Sequence, residues 1–174
     1  AKFLQRKVCD SIRKKPMSSS HLEQALNKLI EKMGQPVSKS HWFEVTQVLI
    51  NQYADVSRDH QWIHVDPERA KKESPYGDAI AHGNLTLALI GHLPEIEGYG
   101  MPVLEGKKLG INYGFNRIRF PAPVLAGSSI RSEGLLLSAE IKGGMIETVT
   151  EITVEVRGSE KPACVAEKVG RIVF

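Results

Sequence analysis

One stretch limits the possible folds more than any other. Residues 80–93, IAHGNLTLALIGHL, are apolar on every side. A helix without a polar face has to be surrounded by other structure. Residues 108–120, 128–141, 145–157 and 163–174 have the texture of strands and can surround it. In the third run, Ile146, Thr148, Thr150, Ile152, Val154 and Val156 fall on one face, and Glu147, Glu151, Thr153 and Glu155 on the other. That two-residue period is a half-buried strand. Gly143-Gly144 joins the second and third runs, a strong hairpin signal. Pro121 and Pro123 fall between runs, where a missing N–H breaks no ladder. The expectation is an α+β chain in which an antiparallel sheet wraps the helix of residues 83–93.

The front half reads as helical. Residues 20–33 place Leu22, Leu26, Leu29 and Ile30 on one stripe. Ser20 followed by Glu23 is a capping-box pattern, and Gly34 stops the helix. A second helix is predicted over 46–55, starting at Thr46. Residues 56–66 carry no helical period and read as loop. Asp66-Pro67-Glu68 is an N-cap followed by proline at the first helical position, so a short helix starts there.

At 174 residues the chain fits one domain with a short extension. The formal charge of +3 suggests a polyanionic partner until it is divided. Residues 1–16 carry six basic side chains and one acid, a local +5, which leaves the rest at −2. The basicity belongs to the segment before Met17, read either as upstream sequence or as a basic amphipathic segment. Neither nucleic acid nor a membrane span is expected, because no apolar run reaches the roughly 18–20 residues a bilayer requires. Two cysteines, Cys9 and Cys164, make no disulfide framework, and a reduced, cytoplasmic protein is expected.

Four of the six histidines fall between positions 60 and 92. Histidine titrates near neutral pH, so such a cluster among carboxylates is a candidate site. In SRDHQWIHVDP, five residues of loop can bring Asp59 and His64 into one small volume for acid–base work. A loop ion pair, or an Asp capping a turn, is the alternative reading. At the start of the apolar helix, Ala81-His82-Gly83-Asn84 offers unpaired N–H groups, and glycine there lets a ligand approach the backbone. A packing glycine is the alternative. His60 and His64 have the spacing of a zinc protease, but Gln61 stands where its glutamate is required, so no metal is expected. There is no GxSxG, P-loop, GxGxxG or CxxC.

The string YADVSRDHQWIHVDPERA, followed by SPYGDAIAHGNLTLALI and INYGFNRIRFPAPVLAGSSIR, closely resembles the MaoC-like dehydratases. These include (R)-specific enoyl-CoA hydratases and nodulation-protein-N-like proteins. The resemblance covers about residues 37–174, with residues 1–36 as a basic tail and N-terminal helix. It implies a single hot-dog fold, a long helix in a curled antiparallel sheet, paired into a homodimer. The implied activity is reversible hydration of trans-2-enoyl-CoA to (3R)-3-hydroxyacyl-CoA, with coenzyme A as part of the substrate and no separate cofactor. The family's catalytic pair maps onto Asp59 and His64, and its oxyanion donor onto the N–H of Gly83, with His82 and Asn84 beside it at the substrate. Arg117 and Arg119 suit the CoA phosphates or, equally, a solvated strand edge. Gln61 and Trp62 replace the family's usual Asn-Pro, as in the nodulation-protein-N-like branch. A hot-dog thioesterase, with a carboxylate and no histidine partner, and a non-catalytic acyl-CoA-binding module are the competing readings.

Overall fold

A computed structural model describes residues 20–96 and 99–174. The basic segment 1–16, with Cys9 and Met17, lies outside the described residues. The first helix, α1 (His21–Ile30), begins with the expected capping box. Glu23 N donates to Ser20 Oγ at 3.3 Å, and Ser20 N donates to Glu23 Oε2 at 3.1 Å. Two short strands follow, β1 (Pro36–Lys39) and β2 (Phe43–Val45). The helical reading of the front half did not include them, because three or four residues are too few to show a period.

Helix α2 (Gln47–Ser57) is capped by Thr46, whose Oγ1 accepts from Leu49 N at 3.2 Å. The stretch read as loop contains one helical turn, α3 (Trp62–Val65). Helix α4 (Pro67–Glu73) starts as expected, with Pro67 at its first position and Asp66 Oδ1 accepting from Arg69 N at 3.0 Å. The apolar helix, α5, spans Gly83–Leu89 rather than 83–93. Ile90 leaves helical geometry at ψ 125°, and Gly91 takes a left-handed φ of 79° that glycine tolerates best.

Four long strands complete the chain: β3 (Leu109–Arg119), β4 (Ser128–Lys142), β5 (Met145–Val156) and β6 (Cys164–Val173). The sheet is antiparallel in the order β1-β4-β5-β6-β3, with β2 also on β4. Gly143 and Gly144, both at positive φ, form the hairpin turn between β4 and β5. The period read from β5 holds in three dimensions: Ile146 through Val156 at even positions are buried.

These inward residues meet two helices. Leu85 and Ile90 pack with Ile130, Ile152, Val154 and Ala166. Farther along the same face, Ala25 and Leu29 of α1 pack with Leu136, Ile146 and Ile172. A curled antiparallel sheet closed over a central helix is the hot-dog fold. The helix is not enclosed on every side, however. Asn84, Ala88 and Gly91 stay exposed in the single chain.

Candidate active site

Three segments bring the site residues together. At the end of α2, Arg58 adopts a left-handed φ of 65°, unusual for a residue with a side chain, and the chain reverses into Asp59. The α3 turn then carries His64 inward to 7% exposure. Gln47 of α2 holds that turn, its Nε2 donating to the His64 carbonyl at 2.6 Å. The third segment enters α5 through Ile80, Ala81 and His82, all buried.

The backbone fixes one nitrogen of each imidazole as a donor. His64 Nδ1 lies 2.7 Å from the Ile80 carbonyl, which can only accept, so Nδ1 carries the proton and Nε2 keeps a free lone pair. His82 Nε2 lies 2.9 Å from the Asp59 carbonyl, so Nε2 carries a proton and donates it there. The two rings stack, with centroids 3.7 Å apart and planes 26° off parallel. Burial pushes the His64 pKa below its ordinary 6.5, and the neighbouring His82 adds to that; the Ile80 carbonyl and Asp59 pull the other way. His64 is therefore neutral at pH 7.

The Asp59 side chain is about half exposed, and its Oδ2 lies 4.0 Å from His82 Nε2. One polar atom each from Asp59, His64 and His82 falls within 4.8 Å of the others. That spacing would also admit a divalent cation. The expected pair is thus brought together, and His82 makes it a trio. Spacing along the chain gave no sign of this, because His82 arrives from a separate segment. His60, the nearer neighbour in sequence, turns away to an exposed pair with Asp55 at 2.9 Å.

Gly83 stands where α5 begins. A Cβ there would lie 3.2 Å from the Phe120 ring, so the close packing depends on glycine. Around it is a pocket of about 220 Å³, lined by Tyr76, Gly83, Thr86 and Phe120. A larger cavity of about 1080 Å³ follows another side of α5, past Asn84, Leu87 and Ala88, to Thr148, Thr150 and Lys168 of the sheet. Asn84 faces this cavity, away from the imidazoles' hydrogen bonds. Neither cavity's lining includes Asp59, His64 or His82, so the site is placed by its bonding and not by cavity size. Arg117 and Arg119 are exposed on β3, with Arg119 one residue before Phe120 and its Nη1 donating to the Ile118 carbonyl at 2.7 Å. Cys164 is no competing nucleophile: burial raises its thiol pKa to about 11.

A hot-dog sheet thus holds a carboxylate and two hydrogen-bonded imidazoles at the entry to its central helix, a set of groups chemically suited to proton transfer. Comparison with known proteins narrows the class. The MaoC like domain pattern matches residues 28–158. The chain is 50% identical over 141 residues to 3-hydroxyacyl-thioester dehydratase Z of Mycobacterium tuberculosis, covering 80% of this chain and 90% of that one. It is 41% identical over 153 residues to nodulation protein N of Rhizobium leguminosarum bv. viciae, covering 87% and 93%. The structure of a MaoC-like dehydratase from Rhodospirillum rubrum superposes with a TM-score of 0.63 at 22% identity, over 82% of this chain and 92% of that one; at that identity the likeness is one of fold. The chain belongs to the MaoC-like dehydratase family, and it is an enzyme of the lyase class.

Proposed function

We propose that this protein reversibly hydrates trans-2-enoyl-CoA thioesters to (3R)-3-hydroxyacyl-CoA, with Asp59 and His64 handling the protons. The observation that carries this reading is the fixed tautomer of His64. Its Nδ1–H is committed to Ile80, which leaves Nε2 as the acceptor, on a ring with a nitrogen within 4.8 Å of an Asp59 carboxylate oxygen. Water held between them gives one proton to Nε2 and a hydrogen bond to the carboxylate. The hydroxide that forms bonds to C3, electron density moves through C2 to the thioester oxygen, and the Gly83 N–H stabilises that oxygen. The proton on Nε2 then passes to C2 on the same face. Dehydration reverses each step, and the sequence calls on no separate cofactor. A positioned acid–base group contributes roughly 10²–10⁴-fold.

The experiment is hydration of crotonyl-CoA, followed at the enoyl-thioester absorbance across pH. Loss of absorbance without release of CoA thiol is expected. Release of thiol would favour the thioesterase reading instead. His64 must be neutral to accept the proton, and its pKa lies below 6.5. The acid limb of kcat/KM is therefore expected below pH 6.5, and a limb above it would remove His64 as the base.

The protein is read as a homodimer for two reasons. Strand β3 is a sheet edge, and Leu109, Ile111 and Tyr113 on it are exposed. An unpaired edge bearing apolar side chains invites a further strand. The uncovered Asn84–Ala88–Gly91 face of α5 is the second surface in want of a partner. Light scattering is expected to give twice the chain mass, and a monomer at working concentration would overturn the assignment.

A further inference from the structure

His82 is the buried side chain of the site for which the reaction provides no step. It occupies the N-cap position of α5 but makes no side-chain capping bond. Its ring, 3% exposed, instead turns toward the segment carrying Asp59 and His64. Nε2 donates to the Asp59 carbonyl at 2.9 Å, one face stacks on His64 at 3.7 Å, and Tyr53 of α2 flanks it at 5.0 Å with planes 56° apart. Nδ1 is buried without a hydrogen-bond partner among the described residues. Such an orphan is costly, and a phenylalanine would fill the same volume without it. The imidazole is therefore not explained by packing. What phenylalanine would lack is the bond to Asp59.

That bond adds to two others between the same segments, from Ile80 N to the Ile63 carbonyl at 3.0 Å and from His64 Nδ1 to the Ile80 carbonyl at 2.7 Å, and it is the one that reaches Asp59. Asp59 sits on an exposed loop after α2, where its carboxylate accepts from Gln61 N at 3.3 Å and lies 4.0 Å from His82 Nε2. His82 lies 23 residues farther on, at the point where α5 begins. One ring thus fixes the backbone of the carboxylate residue through Nε2 and the plane of the second imidazole through stacking, and it is itself anchored next to Gly83. Errors of about 1 Å in such a constellation cost on the order of 10²-fold in rate.

We propose that His82 is a positioning residue, which holds Asp59 and His64 in mutual register at the entry to α5 and itself touches no substrate. The proposal rests on the assignment of Asp59 and His64 above. It is separable from that assignment, because a failure there appears in the wild-type reaction and in an Asp59 variant, while a failure here appears only in His82 variants.

Three substitutions test it on the full chain with crotonyl-CoA. His82→Gln places an amide N–H near the position of Nε2 and keeps the donor. His82→Asn has the same group one methylene short, out of reach of the Asp59 carbonyl. His82→Phe keeps the ring and loses the donor. The expected order of kcat is wild type, then Gln, then Asn and Phe, with Asn and Phe down about 10²-fold and Gln recovering at least about tenfold of that. KM is expected to stay unchanged throughout, since the interaction matters to the geometry of reaction and not to binding. Wild-type kcat in the Phe variant overturns the proposal. So does a loss confined to KM, which would make His82 a substrate contact. Should the Phe chain not fold, the comparison of Gln with Asn decides: equal losses in the two overturn it as well.

Discussion

Replacing Asp59 by Asn is expected to lower kcat/KM for crotonyl-CoA by roughly 10²–10⁴-fold, the range for loss of a positioned acid–base group. The substitution is a clean probe because the fold asks little of this carboxylate. It is about half exposed, and the hydrogen bond from Gln61 N to Oδ1 at 3.3 Å can be accepted equally by an amide oxygen. The bond to His82 uses the Asp59 backbone carbonyl and survives. What disappears is the negative charge that orients water toward His64. The thermal melt is expected to match wild type. An Asn variant with undiminished turnover would show that the reacting water sits elsewhere.

The largest effect on stability is expected at the other end of the sheet, from Leu136→Ala. Leu136 is fully buried between α1 and the strands, in contact with a cluster that includes Leu29, Ile146 and Ile172. Its backbone is tied to the chain leaving α1: Gly34 N donates to the Leu136 carbonyl at 2.8 Å, and Leu136 N donates to the Gln35 carbonyl at 3.2 Å. The surroundings are thus held on two sides and can collapse only in part. Truncation of a buried leucine costs about 2–5 kcal/mol, from lost transfer energy and the cavity left behind. Urea unfolding measures it, and a loss below about 1 kcal/mol would mean that α1 closes the gap. The folded variant is expected to keep the wild-type rate with crotonyl-CoA, since the cluster around α5 is a different one.

These two sites differ in how far the sequence exposed them. Asp59 and His64 stood out because both titrate and lie five residues apart. Leu136 could not be singled out from Leu135 and Leu137. Leu136 faces inward by the same two-residue period that buries Ile130, Ser132 and Gly134, and the register shift between Leu136 and Ser138 comes only after it, leaving Leu137 37% exposed. Glu147 shows the same limit. It falls on the outer face, as its period requires, yet it is buried there because Lys142 and Arg171 close over it at 2.7 and 2.9 Å. A period assigns a face, and what covers that face comes from strands remote in the chain.

The sequence by itself determined the local features: the Ser20, Thr46 and Asp66 caps, the Gly143-Gly144 turn, the four long strands and the apolar segment they enclose. Each depends on residues within a few positions of one another, where steric and hydrogen-bonding preferences act directly. Tertiary structure decided the rest. It ended α5 at Leu89 and left one side of it open, it formed β1 and β2 by pairing with β4, and it laid the His82 ring on His64. The last of these depends on backbone carbonyls at Ile80 and Asp59, which every residue possesses and no sequence motif can mark. Only the folded chain brings them to the imidazoles and so selects which nitrogen of each ring is held as a donor.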